Sequence, residues 1–196
     1  MMLRSFIALE IPAEVQSALA RSIASLQKNL PNPLIRWVAR QNVHLTLKFL
    51  GDVSPANLER LAEALRSEVA AYEPFSMSVG RLGAFPTPRR ARVLWIGLDA
   101  PAELMVLLHS VELVSARLGY ASEDRPFSPH LTIGRVGQTV SGADLQRIRA
   151  ALEATNIGTI GSVCVDTVQI FKSDLQPGGS VYTPLYSLPL LLNQTR

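Results

Sequence analysis

Cysteine is almost missing from this 196-residue chain, with Cys164 the only one. No intrachain disulfide is possible. Its neighbours in Ser162-Val163-Cys164-Val165 are strand-like, so it reads as a small buried apolar residue rather than a nucleophile. No apolar run reaches the roughly 18 residues of a membrane-spanning helix. The start, Met1-Met2-Leu3-Arg4 with Glu10 soon after, lacks the apolar stretch and cleavage site of a secretory signal. A soluble, cytoplasmic protein is expected. There is no G-x-S-x-G elbow, no Walker lysine loop and no G-x-G-x-x-G. Histidine is scarce too, at three residues.

The composition that remains is that of a globular protein. Apolar residues make up 47% and charged residues 18%, whereas disorder needs less of the first and more of the second. The length suits one domain, or two small lobes sharing a core. A net charge of +3 is compatible with a phosphate-bearing partner and equally with a basic soluble protein.

Two of the three histidines stand in one repeated phrase, His44-Leu45-Thr46-Leu47 and His130-Leu131-Thr132-Ile133. Both copies lie in apolar runs that read as β-strands. Side chains alternate along a strand, so each His shares a face with the Thr two residues on, and the apolar residues between point into a core. Two such strands offer two imidazoles and two hydroxyls to one site.

The rest of the chain alternates strands and helices. Ser5 to Ile11 reads as a strand. Pro12 then opens a helix with Val15, Leu19, Ile23 and Leu26 on one stripe, and Pro31 and Pro33 follow it. Ser54-Pro55 starts a helix through Leu58, Leu61, Leu65 and Val69. Phe75–Val79 and Val93–Leu98 read as strands. Pro101 opens a third helix through Leu104, Leu108, Val111 and Leu118. Ser141 caps a fourth through Leu145, Ile148 and Leu152, and 162–171 and 182–188 close the chain as strands. The order strand, helix, His strand, helix, strand occurs twice, with Val79 and Val165 each 35 residues after its His. An internal duplication, with repeats at roughly 4–83 and 92–175, would place the two His strands side by side in a single bilobal domain spanning 1–196.

Paired imidazoles on opposite sides of a substrate suit general acid–base catalysis, one withdrawing a proton from the nucleophile and the other protonating the leaving group. Threonine hydroxyls can donate to non-bridging phosphate oxygens where transition-state charge builds. Such hydrolysis requires no metal or cofactor, and two histidines without Asp, Glu or Cys at ligand spacing make a poor zinc site. His109 reads as a helix-face residue.

The chain resembles the two-histidine, His-x-Thr-x phosphoesterase superfamily, and within it the RNA 2′,3′-cyclic phosphodiesterases, first named 2′-5′ RNA ligases. The segments that carry the resemblance run nearly end to end. They are Arg4-Ser5-Phe6-Ile7-Ala8-Leu9, Arg36-Trp37-Val38 with Asn42 to Gly51, Phe85 to Trp95, and Arg125-Pro126-Phe127-Ser128-Pro129 leading into His130 to Arg135. The resemblance implies an α+β fold of two pseudo-symmetric lobes, with antiparallel sheets around a central cleft and helices on the outer faces. It implies hydrolysis of an RNA or nucleoside 2′,3′-cyclic phosphate to a 2′-phosphomonoester without metal. It makes His44 the general acid and His130 the general base, with Thr46 and Thr132 on the phosphate oxygens.

Further residues are expected around them. Arg135 resembles the family's phosphate-contacting arginine, but strand parity sets it opposite His130 unless the strand bulges near Gly134. Phe49 either stacks on a base or packs in the core, since parity turns it away from His44. Lys48, on the His44 face by parity, meets phosphate or solvent. Arg89, Arg90 and Arg92 either guide RNA backbone or form a solvated loop. The partners expected are RNA ends or small cyclic nucleotides, for a monomer that touches no membrane. The alternatives are a 2′-5′ RNA ligase, a 2′-5′ phosphodiesterase using the same site, and a non-catalytic RNA-binding protein.

Overall fold

The computed structural model describes residues 1–176 and 179–191. These residues form nine strands and four α-helices: β1 Leu3–Glu10, α1 Ala13–Asn29, β2 Ile35–Trp37, β3 His44–Val53, α2 Pro55–Val69, β4 Phe75–Phe85, β5 Val93–Asp99, α3 Ala102–Arg117, β6 His130–Val136, α4 Gly142–Ala154, β7 Gly161–Val165, β8 Thr167–Gln176 and β9 Gly179–Pro189. The helices form where the apolar stripe and caps call for them. On α1 the buried residues are Val15, Leu19, Ile23 and Leu26. On α2 the Ser54 hydroxyl accepts from the Asn57 N–H with Pro55 in the first turn, and on α4 Ser141 and Asp144 form a reciprocal capping box.

The α+β class and antiparallel pairing hold. The two expected sheets are the halves of one curled sheet, ordered β7-β4-β5-β6-β3-β1-β8-β9, with β2 beside β6. β3 and β6 meet at a single pair, Leu45 with Leu131. β4 follows the first His strand in the chain but pairs with β5, while β8 pairs with β1. Each His strand's half of the sheet is therefore completed by a strand from beyond the other His strand or its partner.

One sheet face and all four helices share a core that includes Ile7, Leu9, Leu45, Leu47, Leu94, Leu131 and Ile133. The opposite face of the β1–β8 region carries a separate cluster of Phe6, Ala8 and Phe171, with Tyr182 against it. No helix among the described residues is long and apolar enough to cross a membrane.

The elements differ from expectation in a few places. The segment 162–171 is two strands broken at Asp166, and Val165 ends β7, which pairs with β4 itself. Cys164 is exposed, because Val163 and Val165 take the buried positions of the alternation. Leu118 ends up outside α3 and largely exposed.

Candidate active site

The seam between β3 and β6 assembles the two motifs. The pairing is antiparallel about Leu45 and Leu131, so one step either way sets His44 across from Thr132 and His130 across from Thr46. All four side chains lie on the face away from the helices, since Leu45, Leu47, Leu131 and Ile133 fill the core.

Each imidazole is oriented in the same way. His44 Nδ1 is 2.8 Å from the Asn42 carbonyl oxygen, and His130 Nδ1 is 2.7 Å from that of Ser128. A carbonyl can only accept, so each Nδ1–H donates and each Nε2 is left to exchange protons with a substrate. The Asn42 side chain in turn donates from Nδ2 to the Ser180 carbonyl at 2.7 Å, tying the first motif to β9.

The two histidines have different surroundings. The Phe6 ring stacks on His44 at 4.8 Å, Tyr182 meets it edge-on at 5.1 Å, and Phe171 lies behind Phe6. Burial in this nest lowers the His44 pKa to about 4, the His130 charge adds to that, and the Asn42 hydrogen bond opposes it. His44 is therefore neutral near pH 7 in the free protein. His130 has only Phe85 edge-on at 4.9 Å. Beside it the Trp95 indole lies flat over Gly83 and Gly97, where a methyl at Gly83 would collide with the ring.

A one-residue bulge interrupts each His strand just after its motif. Opposite β1, Ile7 pairs with Lys48 and Ala8 with Thr46, so Leu47 is the extra residue. Opposite β5, Leu94 pairs with Gly134 and Trp95 with Thr132, so Ile133 is the extra residue. Each bulge exchanges the faces of the residues that follow. Phe49 arrives on the His44 face across from Phe6, 65% exposed, and Arg135 arrives exposed on the His130 face.

Lys48 moves the other way, and its expected phosphate or solvent role is corrected. Its side chain is buried, with Nζ 2.7 Å from both Glu112 Oε2 on α3 and the Ala121 carbonyl. The ammonium bridges the gap where β3 stops pairing with the chain that leads into β6. Arg89, Arg90 and Arg92 are exposed around the turn between β4 and β5. Two surface recesses, one of about 140 Å³ near Glu10 and Gln169 and one of about 310 Å³ near Arg90 and Val136, include neither histidine. The histidine pair sits on the sheet face opposite the one the helices cover. Among the described residues no group of three or more His, Cys, Asp or Glu could hold a metal ion.

A curled antiparallel sheet whose seam carries one His-x-Thr pair from each side is the architecture of a two-histidine phosphoesterase. The family model for LigT-like phosphoesterases matches the chain twice, over residues 9–95 and 96–182, and the chain belongs to that family. Its curated relatives include the RNA 2′,3′-cyclic phosphodiesterases of Methanothermobacter thermautotrophicus, 31% identical with 94% of this chain and 97% of that one covered, and of Thermotoga maritima, 32% identical with 94% of each covered. The crystal structure of E. coli LigT complexed with 3′-AMP superposes with a TM-score of 0.75 at 28% identity, covering 97% of this chain and 99% of that one.

Proposed function

We propose that this protein hydrolyses the 2′,3′-cyclic phosphate of an RNA end, or of a nucleoside, to a 2′-phosphomonoester. The observation that supports the reading is the seam at Leu45 and Leu131, whose register sets His44 across from Thr132 and His130 across from Thr46 on the face away from the helices. The family supports it, since the curated relatives are named RNA 2′,3′-cyclic phosphodiesterases. His130 Nε2 takes a proton from water as the water oxygen bonds to phosphorus. The bond from phosphorus to the 3′ oxygen breaks, and His44 Nε2 delivers a proton to that oxygen. Thr46 and Thr132 donate hydrogen bonds to the non-bridging oxygens, where negative charge accumulates.

His44 starts neutral, so its acid role depends on the substrate. A phosphodiester anion bound beside it favours the imidazolium and draws its pKa back up. Phe49, exposed beside the aromatic nest, stacks on a base, and Arg135 meets a substrate phosphate. Acid–base work of this kind requires no metal or cofactor. The setting is the cytoplasm and the acting form a monomer. The test is turnover of adenosine 2′,3′-cyclic phosphate by His44→Ala and His130→Ala. Each loses about two to four orders of magnitude in rate; full activity in either refutes the assignment.

A further inference from the structure

Arg36 and Arg135 stand directly across from one another where β2 pairs with β6. Like charges in that relation repel. Both side chains are exposed, and among the described residues neither takes part in an ion pair. Their direction is fixed by their neighbours. Ile35 is buried, and a methyl at Gly134 would come within 2.7 Å of Ile35 Cγ2 and 3.2 Å of the Trp37 ring. Those residues face the core, so the two arginines face the other way, on the side of His130 and Thr132.

The pair also breaks the symmetry of the seam. The position on β3 that corresponds to Arg135, one residue past the bulge pair, is Phe49. The His44 side of this face is therefore lined by Phe49, Phe6, Phe171 and Tyr182, and the His130 side adds Arg36 and Arg135 to Phe85 and Trp95. Across the bulge at Ile133, Thr132 and Arg135 stand opposite Trp95 and Val93, two positions apart on β5, about 7 Å of strand. Two imidazoles and two hydroxyls already serve the reacting phosphate, and a facing pair of guanidinium groups has capacity for another anion.

We infer that Arg36 and Arg135 form a second phosphate subsite, which holds the phosphate on the 5′ side of the nucleoside bearing the cyclic phosphate. The inference rests on the cyclic-phosphate reading above and narrows its substrate to an RNA end in preference to a free nucleoside. Phosphate binding there relieves the repulsion between the two arginines. A lone nucleoside 2′,3′-cyclic phosphate leaves the subsite empty.

The experiment compares kcat/KM for adenosine 2′,3′-cyclic phosphate with that for its 5′-phosphorylated form, in low salt. The wild-type protein prefers the 5′-phosphorylated substrate by about tenfold, the worth of one charge-assisted contact, and the preference shrinks as salt rises. Arg36→Ala brings the ratio toward one. Arg36→Lys keeps part of it, since charge survives while the guanidinium fork is lost. The melting temperature of Arg36→Ala does not fall, because a repulsion has been removed. A wild-type ratio of one, or a preference that survives in Arg36→Ala, overturns the subsite. Absence of turnover on both substrates refutes the hydrolase reading instead. The subsite is then read by calorimetry with adenosine 2′,5′-bisphosphate and adenosine 2′-phosphate, and equal affinities for the two overturn it.

Discussion

Replacing Lys48 by methionine removes the ammonium that joins β3 to α3 and to the chain leading into the second motif. The side chain is 1% exposed, and its two partners at 2.7 Å are a carboxylate, 20% exposed, and a backbone carbonyl. Removing one member of a buried ion pair costs about 3–5 kcal/mol. Glu112 keeps some access to water, which sets the loss near the bottom of that range, at about 3 kcal/mol including the orphaned Ala121 carbonyl. For a domain of this size that is a drop of roughly 6–12 °C in Tm. Urea titration of wild type, Lys48→Met, Glu112→Leu and the double variant closes the cycle. The double variant recovers most of the loss, because no buried charge is left without a partner. KM for the cyclic phosphate stays near wild type, since the ammonium does not reach the face that carries the histidines. A Lys48→Met protein as stable as wild type, or one whose main defect is a raised KM, refutes this placement of Lys48.

Two further outcomes follow from the site. The His44 pKa is about 4 in the folded protein, against 6.5 for an ordinary histidine. Between those values the unfolded chain takes up a proton that the folded one refuses, so stability falls as pH drops through that window, by about 3 kcal/mol in full. His44→Asn flattens the difference in urea stability between pH 7 and pH 4.5 by about 2 kcal/mol, since pH 4.5 stops short of the folded-state value; an unchanged difference contradicts the burial of His44. Gly83→Ala forces the Trp95 indole off the sheet, costing about 1–3 kcal/mol and shifting the tryptophan emission. An unchanged spectrum and stability rule that contact out.

The parts of the fold that sequence makes legible are those governed by local periodicity. Val15, Leu19, Ile23 and Leu26 mark α1 because a 3.6-residue stripe has one reading, and Ser54 and Ser141 mark helix starts through their hydroxyls. The two motifs read as strands, and the shared face of His and Thr follows from alternation alone. Alternation carried past Thr46 and Thr132 misplaces the next residues, because the bulges at Leu47 and Ile133 each add a residue. Both bulged residues are apolar and look like ordinary strand positions. Lys48 and Phe49 therefore change faces with no local warning, whereas Gly134 beside the second bulge is a local sign of the irregularity that turns Arg135. For Arg135 the bulge near Gly134 is the condition its phosphate role requires.

Other features depend on partners distant in the chain. Glu112, which holds Lys48, is 64 residues away, and the nest around His44 draws on β1, β8 and β9. The short strand β2 is hidden between Pro33 and the turn at Arg40, and only its register against β6 reveals the facing arginines. Cys164 is the opposite case. The alternation of Val163 and Val165 already turns it outward, and residue type was the poorer guide.

The two His-x-Thr pairs are proposed to act as one metal-independent hydrolytic site. The most direct measurement is incubation of the purified protein with adenosine 2′,3′-cyclic phosphate in EDTA, with the product identified by chromatography against both monophosphates. The expected product is adenosine 2′-phosphate from the wild-type protein, formed at least about a hundredfold more slowly by His44→Ala. Formation of the 3′-phosphate would contradict the leaving group assigned to His44, and activity that disappears in EDTA would contradict metal independence.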